Sequence, residues 1–148
     1  MDSPKWNQRF LKVATDIASW SKDPSTKVGA VAVGPNREMR AQGYNGFPRG
    51  VADDPERYAN REEKYRLVVH AELNTCLHAA RIGVPLDGCD LYVTLPPCSV
   101  CAGALIQVGF RNVITIAQDI PERWLEDFWR GRRSLLEAGV GYHVVELP

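Results

Sequence analysis

Trp6, Phe10, Val13, Ile17 and Trp20 recur three and four residues apart, a period that predicts an amphipathic helix with its apolar stripe on a core. Ser3 followed by Pro4 supplies the entrance to that helix. The pattern then changes. A polar stretch, Ser21 to Lys27, leads into Val28, Ala30, Ala32 and Val33, which predict a short strand. Gly34-Pro35-Asn36-Arg37 predicts a turn and Met39 to Tyr44 a returning strand, so the pair predicts a hairpin. Asp54-Pro55-Glu56 predicts another helix start. Arg57 to Arg66 is dense in charge and reads as a solvated helix face; a partly ordered cover over a ligand site is the other reading. Val68 to Arg81 predicts a helix with Leu73, Leu77 and Ala80 inward, stopped by Gly83 and Pro85. Cys89 to Leu95 has the apolar centre of a buried strand. Cys98 to Val108 predicts a helix, with Ala102, Gly103 and Ala104 small enough for close packing. Asn112 to Ile116 predicts a strand, Pro121 to Ala138 a helix ended by Gly139, and Gly141 to Leu147 the last strand. Helices alternating with five strands predict an α/β fold: a three-layer α/β/α sandwich around a mixed five-stranded sheet.

Length and charge narrow the classes. A chain of 148 residues predicts one domain, residues 1–148, large enough for a real core. Lys and Arg number 18 and so do Asp and Glu. A zero balance lacks the clustered basic excess of a duplex-binding surface and weighs against nucleic acid as a partner. No apolar run approaches the roughly 20 residues of a membrane span. Met1 to Trp6 lacks a signal peptide's apolar core. Four cysteines, two of them at metal spacing, suit a reducing cytoplasm better than a disulfide framework, so a cytoplasmic protein is expected.

The chemistry concentrates in two places: His70-Ala71-Glu72, and one strand later Pro97-Cys98-Ser99-Val100-Cys101. A catalytic zinc takes three protein ligands and keeps one position open. His70, Cys98 and Cys101 offer one imidazole and two thiolates. Cysteines three apart at the start of a helix point the same way, and a helix N-terminus favours thiolate over thiol. Glu72, two residues past His70, reaches the open position without being a ligand, which suits a proton shuttle. A lone C-x-x-C is also compatible with a redox pair or half of a structural zinc site. Cys76 and Cys89 complete no second such motif, and only a catalytic site gives Glu72 work to do.

The H-A-E and P-C-x-x-C motifs, with Ser21-Lys22-Asp23-Pro24-Ser25-Thr26-Lys27-Val28-Gly29-Ala30, Gly43-Tyr44-Asn45-Gly46-Phe47-Pro48-Arg49-Gly50 and His70-Ala71-Glu72-Leu73-Asn74, resemble the zinc-dependent cytidine/deoxycytidylate deaminase superfamily. The resemblance runs from about Phe10 to Ile116. The zinc motif is shared across the superfamily; the G-Y-N-G-x-P-x-G stretch resembles its deoxycytidylate branch. That likeness implies a cytidine deaminase-like fold, one catalytic Zn²⁺, and hydrolysis of dCMP to dUMP with Glu72 as the acid–base group. It implies that the Ala71 N–H helps to hold the base and that Asn45 binds the sugar hydroxyl. Ser25 and Lys27 fall in the loop on the family's phosphate side, although exposed lysines are ordinarily just solvated. Regulated relatives imply an effector role for the Gly46 and Gly50 loop and for Arg81. They further imply dCTP with Mg²⁺ as activator, dTTP as inhibitor, and a homo-oligomer, a hexamer. Some relatives hold a second, structural zinc; Asp23 and Asp53-Asp54 stand near those positions here, so no second zinc is expected.

The resemblance fades over Ala117 to Arg133, where Trp124, Phe128 and Trp129 share the chain with Arg123, Arg130, Arg132 and Arg133. This segment reads as an amphipathic helix packed on the sheet, or as an altered base or phosphate pocket. Cytidine, dCTP, a modified dCMP or a nucleic acid are the competing substrates. A zinc-stabilised nucleotide-binding module is the competing non-enzyme.

Overall fold

A polar, proline-led start and an apolar stripe produce α1 (Pro4–Ala18), as the period requires. The chain then forms β1 (Gly29–Val33) and β2 (Met39–Tyr44), two short helices α2 (Pro55–Ala59) and α3 (Arg61–Leu67), and α4 (Ala71–Ile82). It continues through β3 (Asp90–Val93), α5 (Ser99–Val108), β4 (Asn112–Ile116), α6 (Glu122–Glu137) and β5 (Gly141–Val145). The computed structural model describes residues 3–148.

The five strands form one mixed sheet in the order β2-β1-β3-β4-β5. β1 runs antiparallel to β2 and to β3, while β3–β4 and β4–β5 are parallel. Parallel neighbours need a crossover, and α5 and α6 are those crossovers. Both faces of the sheet are covered. On one, Phe10, Leu11, Ala14 and Ile17 of α1 pack on Val31, Val33, Tyr92 and Ile114. On the other, Ala71, Ala79, Ala102, Leu105 and Leu135 from α4, α5 and α6 pack on Ala30, Ala32, Leu91, Val93 and Val113. Alternate residues of one strand therefore feed two cores, which is why β1 and β3 are buried throughout. Among the described residues, no helix is long and apolar enough to cross a membrane.

The structure departs from the sequence pattern in several places. Trp20 lies beyond α1, is 56% exposed, and meets Tyr44 edge-on instead of joining the stripe. α4 starts at Ala71, not Val68, because Val69 exchanges backbone hydrogen bonds with Gly46 and is held extended. Its inward residues are Ala71, Thr75 and Ala79, whereas Leu77 is half exposed and Ala80 faces solvent. The reason is Gly43: a Cβ there would stand 2.6 Å from the Thr75 nitrogen and 2.7 Å from the Ala71 carbonyl oxygen. The α4 backbone sits directly on β2, and only small side chains fit between them. β3 and β5 end two residues earlier than the pattern predicts. The charged run from Arg57 to Arg66 is not a plain solvated face: it is α2 and α3, and Lys64 is largely buried.

Candidate active site

His70 is the N-cap of α4, placed by the Gly46–Val69 bridge one residue before it. Cys98 is the N-cap of α5, and its Sγ accepts the Cys101 N–H at 3.4 Å. Two helix N-termini thus meet where β1 begins and β3 ends. His70 Nδ1 lies 3.5 Å from Cys98 Sγ and 3.4 Å from Cys101 Sγ. The three ligand atoms lie within 4.8 Å of one another, and among the described residues no other cluster of three or more such side chains could hold a metal ion. In a tetrahedral zinc site, bonds of about 2.3 Å to sulfur and about 2.1 Å to nitrogen set sulfur and nitrogen about 3.6 Å apart. The donor set therefore fits zinc in kind and spacing.

The electrostatics agree. The hydrogen bond with Cys101, and then that with His70, lowers the Cys98 thiol to about 4. Cys101, beside that thiolate and buried, is pushed up, so the pair holds one proton until a cation replaces it. His70 is raised by its hydrogen bond with Cys98. Glu72, on the first turn of α4, is 4% exposed, and burial raises its carboxyl to about 7. That is the range in which a carboxyl both gives and takes a proton at neutral pH.

α6 holds the metal loop in place. Asp127 Oδ1 accepts the Ser99 hydroxyl at 2.6 Å and Oδ2 accepts the Ser99 N–H at 3.0 Å, and those bonds keep its carboxyl below the usual range. Gly131 lets the α6 backbone close on that loop, since a Cβ there would stand 2.9 Å from the Pro97 carbonyl oxygen.

The donor set opens into a cleft of about 620 Å³, within the usual range for small-ligand sites. Its metal side is His70, Ala71, Glu72, Leu95, Pro96 and Cys98. One wall is the loop carrying Asp23, Ser25 and Thr26, with Asn45 beside it. Tyr58, Arg61, Lys64 and Tyr65 of α2 and α3 form another, and Arg123, Trp124, Asp127 and Phe128 of α6 a third. The divergent segment is thus both an amphipathic helix on the core, through Leu135, and a wall of the cleft.

Asn45 is buried, and its amide ties two loops. Its Oδ1 accepts the Val28 N–H at 2.8 Å, and its Nδ2 donates to the Thr26 carbonyl at 2.8 Å and to Asp23 Oδ2 at 3.4 Å. Asp23, 2% exposed, collects the Ser25 N–H at 2.8 Å, the Thr26 N–H at 3.3 Å and the Lys64 ammonium at 2.9 Å. Tyr58 stacks on Phe47 at 4.2 Å between ring centroids and donates to Asp53 Oδ1 at 3.2 Å. α2 and α3 are fastened over the cleft by these contacts.

Not every anticipated residue reaches the site. Lys27 Nζ donates to the Ser21 carbonyl, and Lys27 is absent from the cleft walls. Gly46 acts through its bridge to Val69, and neither Gly50 nor Arg81 lines the cleft. Asp23, Tyr58, Lys64 and Asp127 were missed by sequence reasoning. Asp23 had a local signal, because Asp-Pro-Ser favours an aspartate accepting the N–H two residues on. Tyr58, Lys64 and Asp127 had none, since their partners are distant in sequence.

The cytidine and deoxycytidylate deaminase zinc-binding region matches residues 4–117 as a family. A deaminase from the luxG 3′ region of Aliivibrio fischeri is 43% identical over 138 residues, covering 92% of this chain and 90% of that one. Deoxycytidylate deaminase of Mus musculus is 39% identical over 118 residues, covering 76% of this chain; the match spans 65% of the mouse protein's length. The apo crystal structure of dCMP deaminase from cyanophage S-TIM5 is similar with a TM-score of 0.76 at 25% identity, covering 97% of this chain and 100% of that one.

Proposed function

The chain belongs to the cytidine and deoxycytidylate deaminase family, and from that premise we propose that it is a zinc-dependent hydrolase converting dCMP and water to dUMP and ammonia. One observation carries this reading: a buried carboxyl, Glu72, stands beside a three-donor zinc set at the base of a nucleotide-sized cleft.

His70, Cys98 and Cys101 would hold the ion. Zinc bound there supplies Lewis acidity that makes a water easier to deprotonate. Glu72, poised at about 7, takes a proton from the attacking water as the water's oxygen bonds to C4 of the ring. The carboxyl delivers the proton to N3. The hydroxyl now on C4 gives its proton to the same carboxyl, which passes it to the exocyclic nitrogen; the C4–N bond breaks, the C4 carbonyl forms, and ammonia leaves. The helix start leaves the Ala71 N–H without an intrahelical partner, so it is available to the base. Ser25, on the facing loop, takes the phosphate side, and Asn45 beside that loop, whose Oδ1 accepts only the Val28 N–H among the described residues, keeps a lone pair for the sugar hydroxyl. Burial of Glu72 puts its carboxyl in a low-dielectric surrounding, which strengthens its contacts.

The wider proposal is a single domain acting in the cytoplasm, with dUMP feeding dTMP synthesis. We include control by dCTP with Mg²⁺ and by dTTP through the Gly46–Gly50 loop and Arg81; its support is the bridge from Gly46 to Val69, next to His70. Self-association is supported by the exposed apolar residues Trp20, Tyr44, Leu77 and Ile82; the homohexamer is what the family resemblance implies.

Zinc-assayed protein offered cytidine, CMP, dCMP and dCTP in parallel, with ammonia release as the readout, tests the reaction. Turnover of dCMP well above the other three is the expected result. No turnover of any of them with one zinc bound per chain refutes the reading.

A further inference from the structure

Several cations were available to read a nucleotide's phosphate, and the structure disposes of most of them. Lys22 is paired with Asp53 at 3.1 Å, and Lys27 is turned onto the Ser21 carbonyl. Lys64 lines the cleft but is consumed by Asp23 at 2.9 Å. Arg57 pairs with Glu63 and Arg66 with Glu62. Two cleft-lining cations have no carboxylate partner among the described residues: Arg61 on α3 and Arg123 on α6. The Arg123 guanidinium lies 4.6 Å from the centroid of the Trp124 ring, a contact that holds it without neutralising it. The nearby acids do not compete for it. Asp127 is turned onto Ser99, and Asp23 is saturated by Lys64 and the loop N–H groups.

We propose that Arg61 and Arg123 are the phosphate-binding residues of this cleft, and that they select a nucleoside monophosphate over the nucleoside. This rests on the deamination reading for the base but not for the phosphate. The chemistry is direct. A phosphate monoester carries close to two negative charges at neutral pH. Two planar guanidinium forks match its oxygens in pairs, which an ammonium cannot do. Ser25, on the loop facing them, adds a hydroxyl. The selection lies in α3 and in the divergent segment, not in the lysines of the Ser21–Lys27 loop.

The test is equilibrium titration of the zinc-loaded protein with dUMP and with deoxyuridine, repeated for Arg61→Ala, Arg123→Ala, Arg123→Lys and Lys27→Ala. Each alanine change at an arginine should weaken dUMP binding about ten- to a hundredfold, the range of one charged hydrogen bond, and leave deoxyuridine unchanged. Arg123→Lys should fall between wild type and alanine, because it keeps charge and loses the fork. Lys27→Ala should match wild type for both ligands. Equal losses for dUMP and deoxyuridine in the arginine variants would overturn the proposal, as would a Lys27→Ala loss as large as theirs. Wild-type preference for dUMP that the arginine changes abolish, in a protein that deaminates none of the cytosine substrates, would uphold this phosphate site while refuting the deamination reading.

Discussion

Replacing Lys64 by methionine isolates what fastens the cover over the cleft. Lys64 Nζ lies 2.9 Å from Asp23 Oδ2 and 3.0 Å from Oδ1, with side-chain exposures of 14% and 2%. Methionine keeps most of the apolar stem and removes the charge. Asp23 is then a buried carboxylate facing only neutral donors: the N–H groups of Ser25 and Thr26 and the Asn45 amide. Breaking one partner of a buried pair costs about 3–5 kcal/mol. The lower end applies, because those three donors remain and Lys64 is not fully enclosed. About 3 kcal/mol in a chain of this size corresponds to a fall in Tm of about 6–12 °C. The double change Asp23→Asn/Lys64→Met removes the stranded charge as well, so it should be less destabilised than the sum of the two single changes. Thermal unfolding of the zinc-loaded single and double variants, followed by circular dichroism, measures both quantities. A Lys64→Met loss below about 1 kcal/mol, with additive single variants, would refute the claim that this pair is a buried latch and reduce it to a surface contact.

Two further outcomes follow from the site. Glu72→Ala should retain zinc and lose at least about a hundredfold in turnover, the general acid–base range; near-normal turnover would remove Glu72 from the chemistry. In zinc-stripped protein, the raised Glu72 value means that ionising the carboxyl disfavours the folded state. The penalty is absent below the ordinary value near 4.5 and complete above about 7. Zinc-stripped Glu72→Gln should therefore be more stable than zinc-stripped wild type at pH 8, by up to about 3 kcal/mol, with the difference gone near pH 4; a difference independent of pH would contradict that cause. Gly43→Ala should cost about 1–3 kcal/mol and lower turnover, because its Cβ meets α4 backbone, which cannot swing aside as a side chain would; unchanged turnover and Tm would show that α4 shifts freely.

The sequence by itself determined the features fixed by neighbouring residues. Periodicity was enough for α1, for the β1–β2 hairpin and for β4, whose bounds follow the hydrophobic pattern closely. The candidate donors and Glu72 could be named from sequence because Cys98 and Cys101 are three apart at a helix start, and His70 caps the helix whose first turn carries Glu72. Tertiary structure decided the rest. The buried face of α4 was misread, because hydrophobicity alone points to Leu73 and Leu77, whereas the close approach to Gly43 seats Ala71 and Thr75, with Ala79 one turn further on in the core. The Arg57–Arg66 run looked solvated because nothing near Lys64 in sequence shows that Asp23, 41 residues away, would meet it. Which cations remain free in the cleft was hidden for the same reason. Lys27 and Arg123 carry the same formal charge in the sequence, and only the packed chain turns one onto a carbonyl and leaves the other at the cleft wall. Spacing within a turn is set by covalent geometry; the meeting of α2–α3, α6 and the Asp23 loop is set by which surfaces the two cores bury.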